Sequence, residues 1–221
     1  MQNYGFARVA AASPELRVAD CVFNADQIIE VIKTAHAQEV EYLVLPELCI
    51  TGYSCADLFL QPRLLESAKQ ALLRITAATA EHRMIVIAGL PVSIKSRLFN
   101  CAAVLQQGRI LGIVVKTCIP GYSEFYEPRW FAGAEELEVS ELRIGGSVVP
   151  VGNDLIFLPV SVTGICRSAL RSARISGCRC RQAACWPRPV RRCCSTRRPA
   201  TSWSARPITA ASWSAASLPP V

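Results

Sequence analysis

Two charged side chains stand directly after apolar segments, where buried strands would end. Glu47 follows the apolar run 42–46, and Lys116 follows the apolar run 113–115. A partly buried carboxylate can act as a general base, and a lysine in such a position can stabilise a developing oxyanion. The alternatives are a strand-end glutamate that faces water and a lysine whose ammonium group reaches solvent along its apolar stem. Position alone leaves both interpretations open.

The elements that would hold these two residues alternate between helix and strand. Helical spacing of apolar residues predicts helices over 24–38, with Asn24 as the N-cap, and over 60–81. Apolar runs and turn residues predict the following strands: 6–11, 42–46, 84–89, a hairpin of 98–105 with 109–116, and then 147–151, 155–158 and 160–165. Strands separated by helices and interrupted by a hairpin predict an α/β fold, a mixed sheet with helices on its face.

Three short motifs surround the two charged residues. Segment 45–58 contains L-P-E-L, T-G-Y and D-L, segment 89–120 contains F-N, Lys116 and Pro120, and segment 125–131 reads F-Y-E-P-R-W-F. Together they resemble the signatures of the nitrilase (carbon–nitrogen hydrolase) superfamily. The resemblance implies an α-β-β-α sandwich, truncated here after about residue 165. It also implies a Glu–Lys–Cys set, in which a cysteine attacks an amide or nitrile carbon to form a thioester.

The resemblance assigns roles to three residues of this chain. Glu47 matches the base, Lys116 matches the lysine that stabilises the tetrahedral oxyanion, and Glu127 matches the supporting acid beside that lysine. The whole segment 4–165 is similar, more narrowly, to the glutaminase domain of the glutamine-dependent NAD synthetases. In that family Tyr122 matches a position that contacts the glutamine substrate.

The narrower resemblance also implies partners. Glutamine would be the substrate, and the ammonia would pass to a synthetase domain that uses ATP and magnesium to amidate deamido-NAD. The glutaminase domain itself needs no cofactor or metal, and no S-G-G-x-D-S nucleotide loop occurs in this chain. The full-length proteins of this family are expected to be homo-oligomers. The sequence contains neither an apolar run of about 18 residues nor a signal peptide, which favours a cytoplasmic protein without membrane contact.

The composition changes abruptly near residue 165. Residues 1–165 hold all 17 acidic residues and 13 Lys and Arg, a net charge of −4, whereas residues 166–221 hold 11 Arg and no acidic residue. Six of the 11 Cys and three of the four Trp also lie in 166–221. A GC-rich coding strand read out of frame gives such a composition. We therefore predict two regions: a partial carbon–nitrogen hydrolase domain over 1–165 and an out-of-frame, largely disordered tail over 166–221.

The tail begins where the family's nucleophilic cysteine is expected. The family carries E-I-C-E-D after a segment like 160–165, and this chain has no such string; Cys166 is only a weak candidate, because its neighbours differ. Synonymous codons for residues 172–179 exist that, read from the third base of the Ser172 codon, translate as C-E-D-L-W-V-P. Synonymous codons for residues 193–210, read in the same shifted frame, can likewise encode a sequence similar to that of the family. The sequence therefore predicts no positioned nucleophile in this frame, and hence an inactive chain.

Other interpretations of the tail are weaker. Cys178, Cys180, Cys185 and Cys193 lack the paired spacing and the histidines of usual zinc sites. Eleven Arg with interleaved Trp could hold nucleic acid by charge and stacking, but no specific nucleic-acid partner is expected. For the chain as a whole, two alternatives to the glutaminase remain: a stand-alone amidase of the same superfamily, and a non-catalytic fragment without selected activity.

Overall fold

The computed structural model describes residues 7–157, which form one mixed sheet with two helices against it. The strands are β1 Val9–Ala11, β2 Tyr42–Val44, β3 Ile85–Ile94, β4 Arg97–Gln106, β5 Arg109–Val115, β6 Glu141–Ile144 and β7 Ser147–Gly152. The helices are α1 Cys21–Ala37 and α2 Pro62–Ala78, and three short 3₁₀ helices cover Ala56–Leu60, Glu127–Arg129 and Ala134–Glu136. No helix among the described residues is long and apolar enough to cross a membrane.

The strand order in the sheet is β1-β2-β3-β4-β5-β7-β6. β1, β2 and β3 pair in parallel, β3–β4 and β4–β5 are antiparallel hairpins, and β7 pairs in parallel with β5 and antiparallel with β6. The β4–β5 hairpin turns through Gln107 and Gly108, both at positive φ, which is the two-residue turn whose twist suits antiparallel strands. The predicted mixed α/β sheet is confirmed.

Successive side chains of a strand point to opposite faces of the sheet, and this divides the core into two clusters. In β3, Val86 packs with the helices, whereas its neighbour Ile85 packs on the opposite face with Tyr42, Val104 and Phe157. The main cluster joins α1 and α2 to the sheet through fully buried Ile28, Ile32, Leu72 and Ile75, residues that recur at helical spacing.

Several predicted boundaries differ in the structure. Asn24 does not cap α1, because the helix begins earlier and the carboxylate of Asp20 accepts the Phe23 N–H at 3.0 Å. Asn24 is instead buried, and its amide donates to the carbonyls of Arg17 and Ile50. Strand β6 was not predicted, and residues 155–157 do not form the strand expected there. The predicted strand 160–165 and the tail 166–221 lie outside the described residues.

Candidate functional site

Glu47 lies in a tight turn that follows β2. The turn is tied to β3 by backbone hydrogen bonds from Leu45 N–H to Ile87 O at 2.9 Å and from Ile50 N–H to Gly89 O at 3.1 Å. A Cβ added to Gly89 would lie 2.3 Å from the backbone nitrogen of Leu48, so only glycine allows this approach. The turn therefore presents the Glu47 carboxylate at one end of β2, with 39% of its side chain exposed.

Lys116 follows β5 directly and is almost completely buried, with 6% of its side chain exposed. Its backbone N–H donates to the carbonyl of Asn100 at 2.9 Å, which extends the β4–β5 pairing by one residue. Its ammonium group donates to Glu47 Oε1 at 2.6 Å and to Glu127 Oε2 and Oε1 at 2.7 and 2.9 Å. A buried ammonium group requires such partners, because without them it would be an uncompensated charge in the protein interior.

Glu127 opens the 3₁₀ helix Glu127–Arg129 and exposes only 4% of its side chain. The Phe131 N–H donates to the Glu127 carbonyl at 2.8 Å, and Ala132 then bridges to Phe99 on β4. Besides Lys116, the carboxylate accepts the phenol of Tyr53 at 2.8 Å. This segment thus brings a third charged residue to the same edge of the sheet.

The cluster of Glu47, Lys116 and Glu127 contains two carboxylates and one ammonium group. Two neutral donors complete it: Asn100 Nδ2 donates to Glu47 Oε1 at 2.5 Å and lies 3.5 Å from Glu127 Oε2, and Tyr53 donates to Glu127. Partial burial and the hydrogen bond to Glu127 raise the pKa of the Tyr53 phenol, so it stays a donor. The cluster can therefore accept a proton at Glu47 while Lys116 offers positive charge.

A second contact fixes the segment that carries Glu127. Arg129 Nε and Nη2 donate to Asp57 Oδ1 and Oδ2 at 2.7 and 2.9 Å, and Trp130 Nε1 donates to Asp57 Oδ1 at 2.9 Å. The guanidinium and indole donors hold the pKa of the Asp57 carboxyl well below its usual range. The two hydrogen bonds from Arg129 to Asp57 restrict rotation about this contact. The contact joins the 3₁₀ helix Ala56–Leu60 to the 3₁₀ helix that opens with Glu127.

The structure brings Glu47, Lys116 and Glu127 together, as the sequence motifs indicated. Tyr122 lies on the exposed loop that follows β5, with its ring 5.9 Å from that of Phe125, and its substrate contact stays a prediction. Cys166 lies outside the described residues. Sequence reasoning did not single out Tyr53 and Asn100, although both stand inside the motifs T-G-Y and F-N.

A cavity of about 210 Å³ lies beside the cluster. Tyr53 and Glu127 line it together with Glu124, Tyr126 and Trp130. Its mixture of aromatic rings and carboxylates suits a small ligand that carries an amine or an amide. Within residues 7–157 no group of three His, Cys, Asp or Glu side chains is placed to hold a metal ion.

Comparisons with known proteins agree with this geometry. The family model described as carbon-nitrogen hydrolase matches residues 8–159. The glutamine-dependent NAD(+) synthetase of Mycobacterium tuberculosis H37Rv is 35% identical over 162 residues, which are 73% of this chain and 24% of that protein. The enzyme of the same name from Xanthomonas campestris is 39% identical over 125 residues, 56% of this chain and 22% of that protein.

Solved structures of related proteins superpose on this chain. The glutamine-dependent NAD(+) synthetase of Cytophaga hutchinsonii superposes with a TM-score of 0.64 at 30% identity, covering 69% of this chain and 26% of that one. An amidase from Nesterenkonia shares the fold at 22% identity and a TM-score of 0.50, over 64% of this chain and 53% of that one. This chain spans about a quarter of the length of the curated relatives that it matches. From residue 8 to residue 159, the chain belongs to the carbon-nitrogen hydrolase family.

Proposed function

We propose that this chain carries the base and lysine half of a glutamine amidohydrolase site. The observation that supports the proposal is the position of Lys116, held between Glu47 and Glu127 at 2.6 and 2.7 Å in a buried setting. Hydrolysis of an amide needs a base that deprotonates the nucleophile and a cation that stabilises the oxyanion. Glu47 and Lys116 can provide one of each. Glutamine is the preferred amide because the relatives that are 35% and 30% identical are glutamine-dependent NAD(+) synthetases.

The proposed reaction begins when Glu47 takes the proton of a cysteine thiol. The thiolate attacks the amide carbon of glutamine, and the tetrahedral oxyanion that forms is stabilised by the Lys116 ammonium group. Glu47 then returns the proton to the departing nitrogen, which leaves as ammonia, and a thioester remains. Water, deprotonated by Glu47, hydrolyses the thioester to glutamate and regenerates the thiol. Glu127 holds the Lys116 ammonium group in place throughout.

The cysteine is the part that this chain does not supply in a family-like context. We propose that the chain as written is inactive, because Glu47 and Lys116 without a positioned thiolate cannot form the thioester. In a protein of full length, the ammonia would pass to a synthetase domain that uses ATP and magnesium to amidate deamido-NAD. A cytoplasmic homo-oligomer is the corresponding form of that longer protein.

Ammonia release from glutamine tests this proposal. The purified chain should release none, and a gene corrected by one base so that C-E-D-L-W-V-P is restored should encode an active glutaminase. Glu47→Gln in the corrected protein should abolish the release again. Release by the uncorrected chain that is lost in Cys166→Ala would instead make Cys166 the nucleophile and contradict the predicted inactivity.

The same assay separates the two alternatives. A stand-alone amidase would hydrolyse simple amides such as acetamide at least as fast as glutamine. A corrected protein that folds and hydrolyses neither would favour a fragment without selected activity. Sequencing the gene across codons 155–175 would show whether a base has been inserted or deleted there.

A further inference from the structure

Asn100 contacts every charged residue of the cluster. Its side chain donates to Glu47 Oε1 at 2.5 Å and lies 3.5 Å from Glu127 Oε2, while its backbone carbonyl accepts the N–H of Lys116 at 2.9 Å. It lies on the central strand β4 and is 3% exposed. The amide donates here without adding charge to a cluster that already contains three charges.

The hydrogen bonds to Glu47 are unevenly divided between its two oxygens. Asn100 and Lys116 both donate to Oε1, at 2.5 and 2.6 Å. Within the described range, 7–157, no hydrogen bond reaches Oε2. Because an oxygen already bound by two donors is a poor proton acceptor, the free oxygen is the one on which a proton would be taken up. The exposed 39% of the Glu47 side chain agrees with an oxygen that is open to an incoming group.

We propose that Asn100 is a positioning residue that, with Lys116, saturates Oε1 of Glu47 and so reserves Oε2 as the accepting atom. The proposal rests on the proposed function of Glu47 as the base. Asn100 does not touch a reacting atom itself. It fixes the rotation of the Glu47 carboxylate over the Lys116 ammonium group, while the backbone carbonyl of Asn100 fixes the chain at Lys116.

The Lys116 ammonium group provides a readout that needs no turnover. Nitrogen-15 NMR of lysine side chains in the complete chain reports how fast the ammonium hydrogens exchange with water. In the unchanged protein the Lys116 signal should be protected, because the group is buried and bound by three carboxylate oxygens. In Asn100→Ala the exchange should be about tenfold faster or more, the factor expected when one hydrogen bond to a charged group is lost.

Asn24 provides the matched control. Like Asn100, it is a buried asparagine. Its side chain takes part in three hydrogen bonds, and these reach only Arg17 and Ile50. Asn24→Ala should lower the unfolding temperature and leave the Lys116 exchange unchanged. Faster exchange in both variants would mean general loosening and would overturn the proposal, as would unchanged exchange in Asn100→Ala.

A second variant covers the case in which Asn100→Ala does not fold. Asn100→Ser keeps a neutral donor and leaves a smaller gap than alanine does, and its Lys116 exchange should be faster than in the unchanged protein. These results are independent of ammonia release by the frame-corrected protein, so failure of the positioning role and failure of the glutaminase proposal can be told apart.

Discussion

At the scale of single residues, the central feature is a lysine that is buried because two carboxylates compensate it. Lys116 exposes 6% of its side chain, and Glu127, its closest buried partner, exposes 4%. Such a group gains little net stability from its pairing, yet removing one partner leaves a buried charge without compensation. The sequence alone predicted the three charged residues through their motifs, whereas the donors Tyr53 and Asn100 became evident only when the strands were placed.

Lys116→Met should therefore destabilise the fold strongly. It leaves Glu47 and Glu127 facing each other without a cation, and removal of one member of a buried ion pair costs about 3–5 kcal/mol. Urea unfolding at neutral pH measures the loss in free energy of unfolding. Lys69→Met is the control, because Lys69 is about half exposed and 3.6 Å from Glu66, so its loss should stay within about 0.5 kcal/mol.

Tyr53 should ionise at higher pH in the folded protein than in the unfolded chain. Partial burial and the hydrogen bond to Glu127 raise its pKa from the ordinary value of 10.0. A raised pKa contributes stability below about pH 10, and that contribution is lost as the pH rises towards the pKa of the folded state. Stability measured from pH 9 to 11 should fall less steeply in Tyr53→Phe. An identical slope in both proteins would contradict the raised pKa of Tyr53.

At the scale of elements, the strongest sequence signals were the continuous apolar strands and the hairpin turn. The β4–β5 hairpin and strand β2 lie where apolar runs placed them, whereas β3 was predicted over 84–89 and continues to Ile94, where it forms a second hairpin with β4 that was not predicted. Strand β6 is short and carries Glu141 and Arg143, so its sequence has no apolar run to indicate it. The start of α1 was misplaced because Asp20 and Asn24 are equally good capping residues, and only tertiary contacts decide between them.

Gly89 should be irreplaceable by alanine. A methyl group there would meet backbone atoms of the Glu47 turn at 2.3, 2.8 and 2.9 Å, and backbone cannot yield as a flexible side chain can. We expect Gly89→Ala to cost about 3 kcal/mol or more in urea unfolding. Gly146→Ala is the comparison: its added Cβ meets nothing within 4 Å, so only the positive φ of 82° is strained, at about 1–2 kcal/mol.

At the scale of the whole molecule, charge is distributed very unevenly along the chain. The net charge of −4 over residues 1–165 and the 11 Arg over 166–221 combine to the formal +7 of the whole. The charge of the whole chain therefore says little about the domain that carries the site. The predicted boundary near residue 165 and the predicted absence of a nucleophile both lie outside the described residues.

This asymmetry should govern binding to polyanions. The complete chain should be retained on heparin at low salt and released as salt rises, since release of counterions drives such binding. A chain that ends at residue 165 should pass through unretained. Retention of that shorter chain would show that the basic residues of the domain form a binding surface of their own.

The strand order has a consequence for biosynthesis. Strands β1 to β5 lie side by side in the order in which they are made, so each new strand meets an edge already in place. Chains dominated by such neighbour-to-neighbour pairing can begin to fold while still attached to the ribosome. Lys116 can meet Glu47 and Glu127 once residue 131 has left the exit tunnel of the ribosome. Protease treatment of ribosome-arrested chains of increasing length would show protection of this region arising at that point, whatever reading frame follows.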